Sequence, residues 1–180
     1  DGGAAPLPAI PNKTTLRQSI AAALTLDPVN ASIPIPTYGL MADWDTSLIT
    51  DMENIWVDAQ SAGVANQFDG DISMWDTSNV TNMKQMFLYC TAYTGTSGVG
   101  INNWDTGNVT DMSEMFDGTD FQAPLNNWDT SQVTTMYGMF YGCANFNEDL
   151  DNWDTSNVER MNQFLMEILV RGIQVALQQW

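Results

Sequence analysis

A carboxylate directly follows a tryptophan at five places in the chain: Asp45, Asp76, Asp105, Asp129 and Asp154. Such a column must solve an electrostatic problem. If successive copies stack about 4.8 Å apart, neighbouring carboxylates repel by about 1 kcal/mol in water and by several times that near a protein surface. Two kinds of chemistry could offset this. Each Asp could accept hydrogen bonds from backbone amides two or three residues on, closing an Asx turn. Alternatively, oxygens from the adjoining positions Asp43, Asn103, Asn127, Asp151 and Asn152 could join the ladder Asp45, Asp76, Asp105, Asp129, Asp154 in coordinating Ca²⁺. The turn-forming role is the expectation, because no EF-hand loop and no G-G-x-G-x-D run is present. Calcium is the alternative, and no other cofactor is expected.

The remaining reactive side chains argue against catalysis. The chain contains no histidine, so neither Cys90 nor Cys143 can form a Cys-His pair. The two cysteines fall in one repeat column two periods apart, about 10 Å by strand stacking, which exceeds the roughly 7 Å that a disulfide spans between Cα atoms. Two free, buried thiols are expected. There is no Gly-rich phosphate loop, and the carboxylates recur in columns instead of forming one distinctive pair. The expected protein is therefore not an enzyme. Its 22 acidic and 5 basic side chains give a net charge of −17, which excludes nucleic acid and is compatible with a protein or glycan partner. A threonine column, Thr46, Thr77, Thr106, Thr130 and Thr155, could order water if it faced outward, but strand alternation places it on the inward side with Trp.

These residues are positioned by a repeat. Trp44, Trp75, Trp104, Trp128 and Trp153 each open nearly the same phrase, WDTSNVTNM from Trp75 being typical, at separations of 31, 29, 24 and 25 residues. The basic unit is therefore 24 or 25 residues, and the first two copies carry insertions, at 61–66 and 94–100, that read as bulging loops. Behind the phrase run the columns Met52, Met83, Met112, Met136, Met161; then Ile55, Met86, Met115, Met139, Phe164; then Trp56, Phe87, Phe116, Phe140, Leu165. Their offsets of three and four predict a helical turn, and the Leu150-x-x-Trp153-x-Thr155-x-x-Val158 spacing predicts a strand. The fold class expected is an α/β solenoid: a leucine-rich-repeat-like, right-handed coil stack with a short parallel sheet on one face and helical turns on the other. One coil cannot bury its apolar face alone, whereas five stacked coils bury a continuous core.

Three segments follow. Residues 1–40 form an N-terminal cap, with a short helix from Thr15 to Leu26 and a Pro-rich lead-in; 41–160 form the repeats; 161–180 form an apolar helical C-terminal segment. Glu167 and Arg171 argue against that last segment spanning a membrane, leaving it to cap the final coil or to dock a partner. The candidate partner-binding residues are Asn103, Asn127 and Asn152 on the repeats, with Phe164, Ile168, Ile173 and Trp180 toward the C terminus.

The phrase W-D-T-S-N-V-T-x-M-x-x-M-F-x-x-C, reproduced almost whole from Trp128 to Trp153, resembles the BspA-like surface-protein family and its mycoplasma-type lipoprotein repeats of about 25 residues, over roughly residues 38–165. The resemblance implies an exported or cell-surface protein acting in adhesion or protein binding. The chain departs from the family pattern at Glu159, Arg160 and in the whole C-terminal segment. The expectation is therefore a non-enzymatic interaction or adhesion module, extracellular or on the cell surface. The alternative is an accessory subunit of a larger assembly, docked through its C-terminal helix, in an organelle lumen such as the thylakoid lumen.

Overall fold

The computed structural model describes residues 6–164. Its first element is helix α1, Lys13–Leu26, two residues longer at its start than the sequence pattern suggests. The Asn12 side chain caps it by accepting the Thr15 N–H at 2.9 Å, the standard way to satisfy an orphan donor of the first turn. It stops before Pro28, where the Asp27 carboxylate instead collects the N–H groups of Val29, Asn30 and Ser32. Its buried face, Leu16, Ser19, Ile20, Ala23 and Leu24, closes the end of the repeat stack. Lys13 to Asp51 (2.9 Å) and Arg17 to Asp58 (2.6 Å) fix it there, and Ile10 N–H donates to the Asp45 carbonyl. A second helix, α2, Val57–Ser61, belongs to the first repeat and packs on α1.

Beyond these, the expected α/β solenoid with a parallel sheet and helical turns does not form. Among the described residues there is no β-strand; α2 is the only helix in the repeats, apart from the short 3₁₀ turns Met41–Asp43, Ala65–Gln67 and Ile101–Asn103. The repeats touch through a row of single parallel bridges, Asp51–Asn82, Asn82–Asp111, Asp111–Thr135 and Thr135–Arg160. The backbone explains why each bridge is one residue long. Thr81, Thr110, Thr134 and Glu159 donate back to the carbonyls of Thr50, Thr81, Thr110 and Thr134, and Met52, Met83, Met112 and Met136 donate forward to those of Asn82, Asp111, Thr135 and Arg160. Two residues past each Met the chain swings into the left-handed region, at Asn54 (φ 52°), Gln85 (54°), Glu114 (55°), Gly138 (60°) and Gln163 (59°), which ends the extended run. Within the expected strand itself the chain turns twice, Trp153 N–H bonding to the Leu150 carbonyl and Val158 N–H to that of Thr155.

The same dihedrals remove the helix. From Met83 to Cys90, alternate amides point in different directions. Those of Met83, Gln85, Phe87 and Tyr89 donate to Asp111, Ser113, Met115 and Asp117 of the next repeat, while those of Met86, Leu88 and Cys90 donate three residues back. A left-handed residue recurs at Tyr89, Gly118 and Gly142, six positions after the Met. A chain of tight turns thus buries residues at offsets of three and four, the pattern that a helical stripe would give.

The core is a set of ladders. The Phe column stacks at centroid distances of 5.8 Å (Trp56–Phe87), 5.5 Å (Phe87–Phe116) and 5.5 Å (Phe116–Phe140). A second aromatic column, Phe68, Tyr93, Phe121 and Phe146, packs beside it at 5.9–6.2 Å between centroids, stacked at Phe68–Tyr93 and tilted beyond. Met52, Met83, Met112 and Met136 are wholly buried among these rings, filling irregular space between rigid aromatics as thioethers do. The insertions are not free loops: Thr94 N–H and Oγ1 donate to the Asp69 carboxylate at 2.8 and 2.9 Å, tying the second insertion to the first repeat.

Candidate functional site

Most repeated polar groups hold repeat to repeat. The indole N–H of Trp75, Trp104, Trp128 and Trp153 donates to a carbonyl of the preceding repeat, Met41, Ile72, Ile101 and Leu125 respectively, at 2.9–3.3 Å. The buried hydroxyls of Thr46, Thr77, Thr106 and Thr130 donate at 2.9–3.0 Å to the carbonyls of Asp76, Asp105, Asp129 and Asp154 in the following repeat. These four threonines therefore cross-link the stack and are turned inward, whereas Thr155 is half-buried. Cys90 and Cys143 are free and buried. Burial pushes the Cys90 thiol up to about 12 and the Cys143 thiol up to about 11, leaving no thiolate at neutral pH.

The five Asp residues all lie exposed on one side of the stack. Each closes an Asx turn, its Oδ1 accepting the N–H two residues on, from Ser47, Ser78, Gly107, Ser131 and Ser156, at 2.9–3.1 Å. The Ser47 hydroxyl and N–H hold the Asp45 carboxyl below its ordinary range, and the Ser131 and Ser156 N–H groups do the same for Asp129 and Asp154. Among the described residues no three acidic, cysteine or histidine side chains converge as a metal cage would require. A second Asx column, Asp51, Asn82 and Asp111, accepts from Glu53, Lys84 and Ser113.

Beside the Asp row runs an exposed asparagine ladder. Asn127 Nδ2 reaches Asn103 Oδ1 at 3.3 Å, Asn102 Nδ2 reaches Asn126 Oδ1 at 3.1 Å, and Asn152 Nδ2 reaches the Asn126 carbonyl at 3.4 Å. The three expected Asn residues thus stand together and exposed. Phe164 does not: it is 2% exposed and turned edge-on against Phe140 and Trp153. Ile168, Ile173 and Trp180 lie outside the described residues, as does most of the expected C-terminal helix.

Two outward ladders escaped the sequence reading. Asn79, Asn108 and Asn157 each donate Nδ2 to the backbone carbonyl of Ser47, Ser78 or Ser131 in the preceding repeat. Thr81, Thr110 and Thr134 donate their exposed hydroxyls to Thr50, Thr81 and Thr110. Both occupy fixed columns of the repeat, which is the signal that could have found them. The exposed side therefore carries an acid in every repeat and, in the second to fourth, an amide and a hydroxyl in register with it. A groove between α1 and the 35–38 turn, lined by Thr15, Ser19, Ala22, Leu26, Ile35 and Tyr38 among others, brings no acid, thiol or amine together.

A family model described as "Mycoplasma protein of unknown function, DUF285" matches residues 37–98 and 92–171. No curated protein and no solved structure matches the chain. Among the described residues no helix is long and apolar enough to cross a membrane.

Proposed function

From the premise that the chain belongs to the Mycoplasma DUF285 family, we propose that it is a non-enzymatic interaction module, exported or held at a cell surface as in the BspA-like proteins it resembles. It engages an extended protein or glycan along the Asp-Asn-Thr side of the stack. The observation that carries this reading is that the Asp row is exposed in every repeat with each carboxylate fixed by an Asx turn. A rigid row of oriented acceptors has already lost its conformational entropy, which favours recognition of a regularly spaced, donor-rich partner. The net charge of −17 adds attraction for a cationic stretch that salt would screen.

The test is binding of the purified chain to arrays of surface proteins and glycans, followed by the Asp76→Asn/Asp105→Asn/Asp129→Asn variant on any hit. Loss of binding at an unchanged thermal midpoint supports the reading. Equal binding by wild type and triple variant refutes it.

A further inference from the structure

Segments that break the repeat converge on one pocket. A cavity of about 310 Å³ opens between residues 30–32 and 40–42, Asp71, and Ser97 of the second insertion; small-ligand sites span about 300–1,000 Å³. Its polar side chains are nearly all acceptors. The Ser32 hydroxyl donates to Asp27 Oδ2 at 2.6 Å and the Ser97 hydroxyl donates to the Asp69 carbonyl, so both offer the cavity lone pairs only. Asp71 Oδ1 accepts the Ser73 N–H at 2.9 Å. Gly98, where a Cβ would come within 2.0 Å of Asp71 Oδ2, lets the second insertion close against the carboxylate and hold it. Among the described residues neither Asp71 Oδ2 nor the Asn30 side-chain amide has a hydrogen-bond partner. The ion pairs there engage Asp51, Glu53 and Asp58 and leave Asp71 without a cation. Leu40 and Ala42 supply an apolar wall.

We infer that this pocket takes the side chain of a lysine from a protein partner. An alkylammonium group carries three donors and no acceptor, the complement of two spent hydroxyls, a carboxylate oxygen and an amide oxygen. A sugar hydroxyl or an anion is not. The methylenes of the stem lie along Leu40 and Ala42 and leave the charged head at Asp71. Lysine fits better than arginine because one carboxylate oxygen alone is free: a guanidinium fork uses both for its paired bonds, whereas an ammonium acts as a point charge. The inference rests on the interaction-module reading above and narrows its partner to a protein. Ala42 stands two residues before Trp44, as Asn102 and Asn126 stand before Trp104 and Trp128, so the pocket continues the amide ladder into the first repeat. The net charge of −17 draws a cationic partner toward it.

Amide chemical-shift titration of the isotope-labelled full chain tests this. The probes are end-blocked glycine-flanked peptides carrying lysine, arginine or Nε-acetyllysine, and methyl glucoside as the sugar. The lysine peptide should shift the Asp71 and Ser97 amides saturably, the arginine peptide severalfold more weakly, and the acetyllysine peptide and the sugar not at all. Asp71→Asn keeps an acceptor for the Ser73 N–H and should bind the lysine peptide about tenfold more weakly, the loss of one charge-assisted hydrogen bond. The Asp76→Asn/Asp105→Asn/Asp129→Asn variant should bind it as the wild type does, so the Asp row can fail as a recognition surface while the pocket stands, and the reverse. No saturable shift with the lysine peptide, equal or tighter binding of any other probe at these residues, or wild-type affinity in Asp71→Asn would overturn the proposal. If Asp71→Asn does not fold, the ranking of the four probes on the wild type still decides.

Discussion

Replacing Thr106 by Val isolates the contribution of one inter-repeat hydrogen bond. Thr106 is 1% exposed, and its hydroxyl donates at 2.9 Å to the Asp129 carbonyl in the next repeat. Valine keeps the branched shape but leaves that carbonyl without its donor. An unpaired acceptor costs about 1–3 kcal/mol when fully buried, against a net worth near 1 kcal/mol for a satisfied bond; about 1 kcal/mol is expected here, since the bond is part-buried and the methyl adds some apolar burial. For a chain of this size each kcal/mol lowers the midpoint by about 2–4 °C. Thr110 provides the internal control: its hydroxyl makes the same kind of bond, 3.1 Å to the Thr81 carbonyl, but on the exposed side where water can replace it. Thr110→Val should cost less than about 0.5 kcal/mol. Urea melts of both variants, analysed for midpoint at constant slope, measure the difference. Equal losses, or no loss from Thr106→Val, would refute the assignment of the Thr column to cross-linking.

Other consequences are as direct. Asn54→Gly should stabilise by about 1 kcal/mol in the same melts, since it relieves a left-handed non-glycine residue (φ 52°) and removes a buried Oδ1 that has no partner. Asp117 is pushed up to about 6 by burial and by Glu114. Its folded value thus lies above the unfolded one, so the group costs stability above pH 6 and ceases to do so as pH falls below about 4. Asp117→Asn should accordingly raise the midpoint at pH 7.5 by the equivalent of about 1 kcal/mol or less, solvent screening included, and lose that advantage at pH 4. Neither Cys90 nor Cys143, both buried, should react with a thiol reagent at pH 8 until denaturant is added, when two equivalents should titrate.

The repeat, its period and its inward columns were legible because identical burial demands recur at identical positions: the Trp, Thr, Met and Phe columns are read from spacing alone, and their members in the first four repeats lie in the core. The backbone that carries them was not legible. A chain of tight turns buries Met83, Met86, Phe87 and Cys90 at the same offsets as a helix, and side-chain burial is all that periodicity reports. What distinguishes the two is the left-handed dihedral at Asn54, Gln85, Glu114, Gly138 and Gln163. Four of those five positions are not glycine, so the usual marker was hidden; Gly138 alone, with Gly118 and Gly142 four positions further on in their repeats, carried it. The second insertion, directly after Tyr93, likewise breaks the spacing that would align it with Phe68, Phe121 and Phe146, although its ring packs between those of Phe68 and Phe121.

The physical roles of the columns also constrain where specificity can reside. Trp, the buried Thr and the outward Asn amides spend their donors on neighbouring repeats, so altering them changes the stack before it changes recognition. The Asp row differs, because each carboxylate bonds only within its own turn through Oδ1. Its neutralisation should therefore perturb recognition far more than packing, which is why the triple Asp→Asn variant separates function from fold where substitutions in the other columns cannot.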